Sequence, residues 1–213
     1  MLCDHVGDSF IGHFSFLNFI GRIAFPIFAF QIVQGYIHTS NLKKYMLRLF
    51  LFACISQIPF MLFLSTFYDS YYLNIFFTLL LGTIALYGYD KFRNKYLGIL
   101  FAVLICIIAH FLQVDYGAYG VLVIFLFYIF NTKFNDKKIF MCLTFAVITT
   151  LKYLPSIINY PNYSIIYLNC ILFTCISLIP ICAYNGKQGP KAKYLFYAFY
   201  PVHLLVLYIL RIF

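Results

Sequence analysis

The chain carries little charge for its length. Only 10% of its 213 residues are charged, whereas about a quarter are charged in an ordinary soluble domain. It has no glutamate and no tryptophan, and its six acidic residues are all aspartate. Hydrophobic residues make up 64% of the chain and the mean hydropathy is +0.91. A soluble domain of this size could not bury so much apolar surface, so we predict a membrane protein.

The basic and cysteine residues exclude two further classes. The net charge is +9, but the basic residues occur in short clusters between apolar runs, which does not indicate a nucleic-acid surface. The seven cysteines contain no CxxC pair and lie within apolar runs, so they predict neither a disulfide framework nor a zinc site. No metal and no nucleic-acid partner are therefore expected.

Long apolar runs predict an all-α, polytopic bundle of transmembrane helices, because a span needs about 20 mostly apolar residues. We expect about eight full spans plus a truncated first helix over residues 1–11, within one integral-membrane domain over 1–213. The short first run suggests that the true start lies upstream or that the sequence is a fragment. The eight runs are 22–38, 45–66, 73–90, 96–112, 117–131, 138–155, 164–184 and 194–212.

The loops alternate between basic and non-basic, which predicts their sides by the positive-inside rule. Connections near 67–72, 113–116 and 156–163 have no lysine or arginine and are expected outside, together with 12–20 and the C-terminus. The location expected is a bacterial cytoplasmic membrane. The basic groups expected in the cytoplasm are Lys43, Lys44 and Arg48; Lys91, Arg93 and Lys95; Lys133, Lys137 and Lys138; and Lys187, Lys191 and Lys193.

Ionisable side chains in spans are costly and usually face a cavity or one another, so they are the site candidates. Asp4 and His5 point about 100° apart on a helix, so either His5 is a base with Asp4 nearby, or Asp4 pairs with Arg22. Arg22 could instead extend to the headgroups, and Pro26 would loosen the backbone beside it. His203 follows Pro201 and is expected to line a cavity. The full set is Asp4, His5, Arg22, His110, Lys152 and His203, with Gln31, Gln34 and Gln57 as neutral companions; His13 and His38 are interpreted as surface residues.

The basic cluster of Lys43, Lys44 and Arg48 has two interpretations. It can set topology and contact anionic lipids, or it can receive the phosphates of a nucleotide-bearing cofactor. No glycine-rich phosphate loop accompanies it.

Several motifs together resemble the TraX family. Gln34 stands where that family usually has an acidic residue, and the segment before Asp4 is missing. The motifs are residues 4–7 (Asp-His-Val-Gly), 21–30 (Gly-Arg-Ile-Ala-Phe-Pro-Ile-Phe-Ala-Phe), 34–39, 43–45, 55–60 and 193–203, which ends in Tyr-Pro-Val-His.

The resemblance implies a membrane-embedded acyltransferase. The founding member of the family is associated with conjugative plasmids and acetylates the N-terminus of pilin. We therefore expect acetyl-CoA as co-substrate, membrane lipids as partners, and an amine or hydroxyl acceptor outside, on a protein N-terminus or a glycan.

On this hypothesis the site consists of His5, Asp4, Arg22 and His203, and the donor binds Lys43, Lys44 and Arg48. His5 acts as general base, Asp4 orients the site or pairs with Arg22, and Arg22 or the backbone freed by Pro26 stabilises the oxyanion. His203 is the competing base. A secondary transporter and a non-catalytic assembly protein remain open, although the prolines show no paired pattern between two halves.

Overall fold

The computed structural model describes residues 1–12, 14–67, 71–132, 138–187, 189 and 193–212. His13, Tyr68, Asp69, Lys133, Lys137 and Lys191, which the sequence analysis placed in loops, lie outside the described residues. The helices are α1 (Leu2–Val6), α2 (Phe16–Arg22), α3 (Ala24–His38), α4 (Leu42–Ser65), α5 (Ile75–Lys91), α6 (Lys95–Phe111), α7 (Gly117–Thr132), α8 (Lys138–Asn159), α9 (Ser164–Ile176), α10 (Leu178–Cys182) and α11 (Lys193–Ile212), with a π-helical turn at Gly7–Ile11 and a 3₁₀ turn at Pro161–Tyr163.

The described part of the chain is helical, as predicted, and its apolar helices are those of a membrane protein. Four segments are long and apolar enough to cross a bilayer: Phe16–His38, Leu42–Ser65, Lys138–Asn159 and Pro161–Cys182. The apolar helices α6 and α7 have 17 and 16 residues, or roughly 25 Å at 1.5 Å per residue, against a hydrocarbon core of about 30 Å. Eight full spans therefore stay a prediction.

Residues 12–20 were predicted to form a connection, and this prediction is wrong for residues 16–20. Residues from Phe16 onward are helical, and Phe16–His38 forms one apolar segment of 23 residues. Ser15 and Asn18 explain the early start, because they form a capping box that satisfies the first backbone groups of α2.

Two prolines determine where apolar segments are interrupted. Proline has no N–H to donate to the carbonyl four residues earlier. For Pro26 that carbonyl belongs to Arg22, where α2 ends, and for Pro180 it belongs to Ile176, where α9 ends. The loosened backbone expected beside Arg22 is thus present as the break between α2 and α3.

The chain divides into two compact units, and the division falls within α3 and α7. The first unit comprises residues 1–30 and 129–189. In it α1 packs on α2, α2 on α9, and α8 on α9. Gly21 allows the close approach of α1, since a Cβ there would lie 2.4 Å from the Cβ of Asp4 and 2.9 Å from its Cα.

The second unit comprises residues 31–128 and 190–213. Helix α4 packs on α5 and α11, and α5 packs on α6. The fully buried side chain of Asn74 caps α5 and donates to the Ala53 carbonyl of α4 at 2.7 Å and to the Gln57 side chain at 2.8 Å. Outward-facing side chains such as Leu100, which is 64% exposed, are those expected against lipid.

Candidate functional site

Asp4 and Arg22, two of the predicted site residues, meet in the first unit. Nη1 of Arg22 lies 3.7 Å from a carboxylate oxygen of Asp4, with exposed side-chain fractions of 28% and 15%. Pairing with Arg22 was one of the two interpretations of Asp4. In such a pair each charge offsets part of the cost of removing the other from water.

Asn18 organises the acidic side of this pair, and the sequence analysis did not single it out. Its side chain is 2% exposed. Its amide nitrogen donates to the Asp4 carbonyl at 2.9 Å, to the Asp4 carboxylate at 3.1 Å and to the Asp8 carboxylate at 2.9 Å. Its oxygen accepts from the Ser15 backbone N–H at 2.9 Å and from the Ser15 hydroxyl at 2.7 Å. A serine followed three residues later by a polar amide was the sequence signal that could have identified it.

The basic side of the pair faces α9. The Arg22 guanidinium is hydrogen-bonded to the thiol of Cys170, which is 3% exposed. One turn further along α9, Thr174 is hydrogen-bonded to Tyr153 of α8. The side chain of Arg22 therefore contacts both α1 and α9.

His5 follows Asp4 in α1 and belongs to the same unit. Its backbone carbonyl accepts the Ser9 hydroxyl at 2.7 Å, and its side chain is half-buried. An imidazole that is half-buried in the same unit as the Asp4–Arg22 pair can act as a base in its neutral form.

His203 lies in the second unit, within the continuous helix α11. It is 6% exposed, its ring stacks on Phe199 at 4.9 Å, and Tyr200 meets it edge-on at 5.6 Å. Its Nδ1 is 2.7 Å from the Phe199 carbonyl. A carbonyl can only accept, so Nδ1 carries the proton and, in the neutral ring, Nε2 carries the lone pair.

The three basic residues expected to bind the donor differ in their surroundings. Lys43 and Lys44 are exposed in the first turn of α4. Arg48, one turn further in, lies 5.8 Å from the centre of the Tyr45 ring and is hydrogen-bonded to Tyr197 of α11. Only the two lysines present fully exposed charges.

A second carboxylate cluster was missed by the sequence analysis. Asp90, at the end of α5, accepts the Tyr36 hydroxyl at 2.8 Å and the Tyr128 hydroxyl at 2.7 and 2.6 Å. It thereby joins α3, α5 and α7 within the second unit. An acid in the last turn of a helix is unfavourable for the helix dipole, and this anomaly was the signal that it had partners.

The remaining candidates lie away from these clusters. Gln57 belongs to the Asn74 network, where it donates to the Tyr72 carbonyl at 2.7 Å. His110 and Lys152 are exposed, with Lys152 5.1 Å from the Tyr153 ring centre. Across the described residues, no group of three or more His, Cys, Asp or Glu side chains could hold a metal ion.

Comparisons with known proteins identify the relatives of this chain. A family model described as "TraX protein" matches residues 1–211. The "Probable fimbrial assembly protein FimC, serogroup H1" of Dichelobacter nodosus is 28% identical over an alignment of 212 residues. The alignment covers 90% of this chain and 81% of the relative. No solved structure matches.

Proposed function

The chain belongs to the TraX family, and on this premise we propose that it is a membrane-embedded acetyltransferase. The donor is cytoplasmic acetyl-CoA and the acceptor is an amine or hydroxyl outside the membrane. In the transfer the thioester C–S bond breaks, a C–N or C–O bond forms, the acceptor proton passes to a base, and coenzyme A leaves as the thiol.

The observation that carries the proposal is the network around Arg22. A guanidinium that is held by Asp4 and Cys170 and is largely shielded from solvent is a positive charge in a defined position. Such a charge stabilises an oxyanion more strongly than it would in water, and it needs no reorganisation during the reaction. His5 takes the acceptor proton, while Asn18 holds Asp4 and thereby the start of α1 in place.

His203 is the alternative base. Its Nδ1–H donates to the Phe199 carbonyl, which fixes the tautomer with the lone pair on Nε2. If His5 is the base, His5→Ala should be inactive, and if His203 is the base, His203→Ala should be inactive. Activity measurements therefore distinguish the two assignments.

The donor side is assigned to Lys43, Lys44 and Arg48. The exposed lysines attract the phosphates of acetyl-CoA, and Arg48 holds the first turns of α4 against α11 through its hydrogen bond to Tyr197. For the acceptor, the name of the FimC relative supports a secreted protein of fimbrial type, whose N-terminal amine would be acetylated.

We further propose that the helices cross a bacterial cytoplasmic membrane about eight times, with basic loops inside and the C-terminus outside. Maleimide labelling of single introduced cysteines tests this, in a background without native cysteines. Lys91→Cys and Lys187→Cys should both be labelled from the inside, and Tyr163→Cys from the outside. Labelling of Lys91→Cys and Lys187→Cys from opposite sides would refute the topology.

The enzymatic proposal is tested with the full chain in nanodiscs and acetyl-CoA labelled in its acetyl group. Saturable binding that weakens when Lys43 and Lys44 are both replaced by alanine would establish the donor site. Transfer to amine acceptors, measured as release of free coenzyme A thiol, should be abolished in His5→Ala and retained in His110→Ala, a matched histidine control. Full activity of His5→Ala with loss of activity in His203→Ala would move the base to His203. Absence of saturable binding up to millimolar acetyl-CoA would overturn the donor assignment.

A non-catalytic role in fimbrial assembly is the second candidate, and the name of the FimC relative favours it. It predicts that fimbriae still form when His5, Arg22 and His203 are replaced, as long as the protein remains folded in the membrane. Loss of fimbriae with Arg22→Lys at normal protein abundance would exclude it.

A further inference from the structure

Two thiols of the first unit lie in contact although they are 40 residues apart in the sequence. Sγ of Cys142, in α8, is 3.5 Å from Sγ of Cys182, the last residue of α10. Both side chains are partly exposed. Neither residue belongs to the Asp4–Arg22 network, and the sequence analysis predicted no disulfide framework among the cysteines.

The surroundings of the pair are polar and accessible on one side. Nζ of Lys138 donates to the Cys182 carbonyl at 3.1 Å. A small cavity of about 70 Å³ adjoins this point, lined by Lys138, Asn131 and Cys182 together with apolar residues such as Phe130 and Met141. One water molecule occupies about 30 Å³ in the liquid, so the cavity accommodates a small polar molecule next to the Cys182 thiol.

The positions of the two cysteines suit a covalent link. A disulfide has an S–S distance of about 2.05 Å, so the two sulfurs must approach by roughly 1.5 Å. Cys182 ends its apolar segment and Cys142 lies one turn after the start of α8. A helix end moves with less loss of hydrogen bonding than a helix centre. The two sulfurs can therefore approach each other without a rearrangement of the spans.

We propose that Cys142 and Cys182 form a dithiol site that a hydroperoxide oxidises to a disulfide. The Cys182 thiol gives up its proton and its sulfur attacks one peroxide oxygen, so that the O–O bond breaks and Cys–SOH forms; the departing oxygen takes up the proton and leaves as an alcohol, or as water from hydrogen peroxide. The Cys142 thiol then displaces the hydroxyl, which leaves as water, and the S–S bond forms. The two thiols lose two electrons, the peroxide is reduced by two electrons, and a thiol reductant restores the starting state.

Cys182 is assigned the attacking role because it lines the cavity, which Cys142 does not. Cys175, partly exposed in α9, is the natural competitor and serves as the matched control. The inference is independent of acetyl transfer, since it concerns neither the donor nor the acceptor.

The experiment uses the full chain in nanodiscs, reduced and then treated with graded hydrogen peroxide. Remaining thiols are blocked with maleimide, and chymotryptic peptides are analysed by mass spectrometry. We expect a linked Cys142–Cys182 peptide, two hydrogen masses lighter than its two halves, to form at least ten times faster than any link to Cys175. Cys175→Ser should leave this rate unchanged.

Variants of the pair identify the order of steps. In Cys142→Ser the reaction should stop at the sulfenic acid, trapped by dimedone on Cys182, and in Cys182→Ser no adduct should form on Cys142. The proposal is overturned if maleimide still reacts fully with both Cys142 and Cys182 after peroxide treatment. It is also overturned if links to Cys175 form as fast as the Cys142–Cys182 link. A dimedone adduct on Cys142 in place of Cys182 would overturn the assigned roles.

Discussion

Each compact unit contains an aspartate held by hydrogen bonds, but the two are held by different chemistry. Asp4 is 15% exposed and is held by a guanidinium and a buried amide. Asp90 is exposed and is held by two tyrosine hydroxyls. Charged partners within an apolar unit cost desolvation energy, whereas neutral hydroxyls at a helix end cost little. Under the proposed function the Asp4 cluster takes part in acetyl transfer, whereas the Asp90 cluster joins helices.

The largest effect is expected where the Asp4 cluster depends on close backbone approach. In Gly21→Leu the new Cβ would overlap Asp4, including its Cα at 2.9 Å. Overpacking alone costs about 1–3 kcal/mol, and the hydrogen bonds of Asn18 are lost as well, so we expect a loss of at least about 3 kcal/mol. Unfolding in mixed micelles measures it. Gly189→Leu is the control, because no atom of the described residues lies within 4 Å of a Cβ at that position, and equal losses in both variants would contradict the role of the contact.

The next effect comes from changing the amide of Asn18 into a carboxylate. Asn18→Asp removes the donor to Asp4 and Asp8 and adds a third negative charge beside them. We expect a loss of about 2–4 kcal/mol, since each buried group left unsatisfied costs about 1–3 kcal/mol. The same unfolding titration applies. Asn41→Asp is the matched control, because Asn41 caps the exposed start of α4 and aspartate caps equally well; a neutral Asn18→Asp would show that the network is dispensable.

The third prediction separates chemistry from stability. Arg22→Lys keeps the charge near Asp4 but loses the planar, multiple donors that reach Cys170. We expect acetyl transfer to fall about 100-fold, the range reported for removing one oxyanion donor, with a smaller loss of stability than in Asn18→Asp. Coenzyme A release measures the rate, and Arg93→Lys, at an exposed position, is the control. An unchanged rate in Arg22→Lys would remove the role assigned to its guanidinium.

Composition and loop charge predicted the helical membrane class, and the end motifs predicted the family, which is confirmed. Composition is an average over the whole chain, and loop charges and motifs lie in short segments of sequence. None of them depends on how the helices pack. The start of α2 was predicted wrongly, because an apolar pattern does not reveal the capping box of Ser15 and Asn18. The break beside Arg22 was predictable, since one proline determines it.

The candidate site was predictable only in part, for a physical reason. Asp4 and Arg22 stand out because charged residues are rare in apolar helices. Their partners Asn18 and Cys170 are ordinary residues of such helices, and only the packing of α1, α2 and α9 brings Asn18 to Asp4 and Cys170 to Arg22. The Tyr36–Asp90–Tyr128 cluster was hidden for the same reason, because 20 tyrosines offer many possible partners and the pairing depends on three helices.

The smallest effect is expected in the Asp90 cluster. Tyr128→Phe removes a buried hydroxyl that approaches both carboxylate oxygens, and Tyr36→Phe removes one that reaches a single oxygen. We expect losses of about 1.5 and about 0.5 kcal/mol, within the range of single hydrogen bonds, with acetyl transfer unchanged in both. Tyr87→Phe, at a side chain that is 43% exposed, is the control for removing a hydroxyl. If either variant abolished transfer while remaining folded, Asp90 would belong to the reaction and the contrast between the two clusters would fail. If both variants lose only stability, the Asp90 cluster joins helices and takes no part in acetyl transfer, as the contrast with the Asp4 cluster predicts.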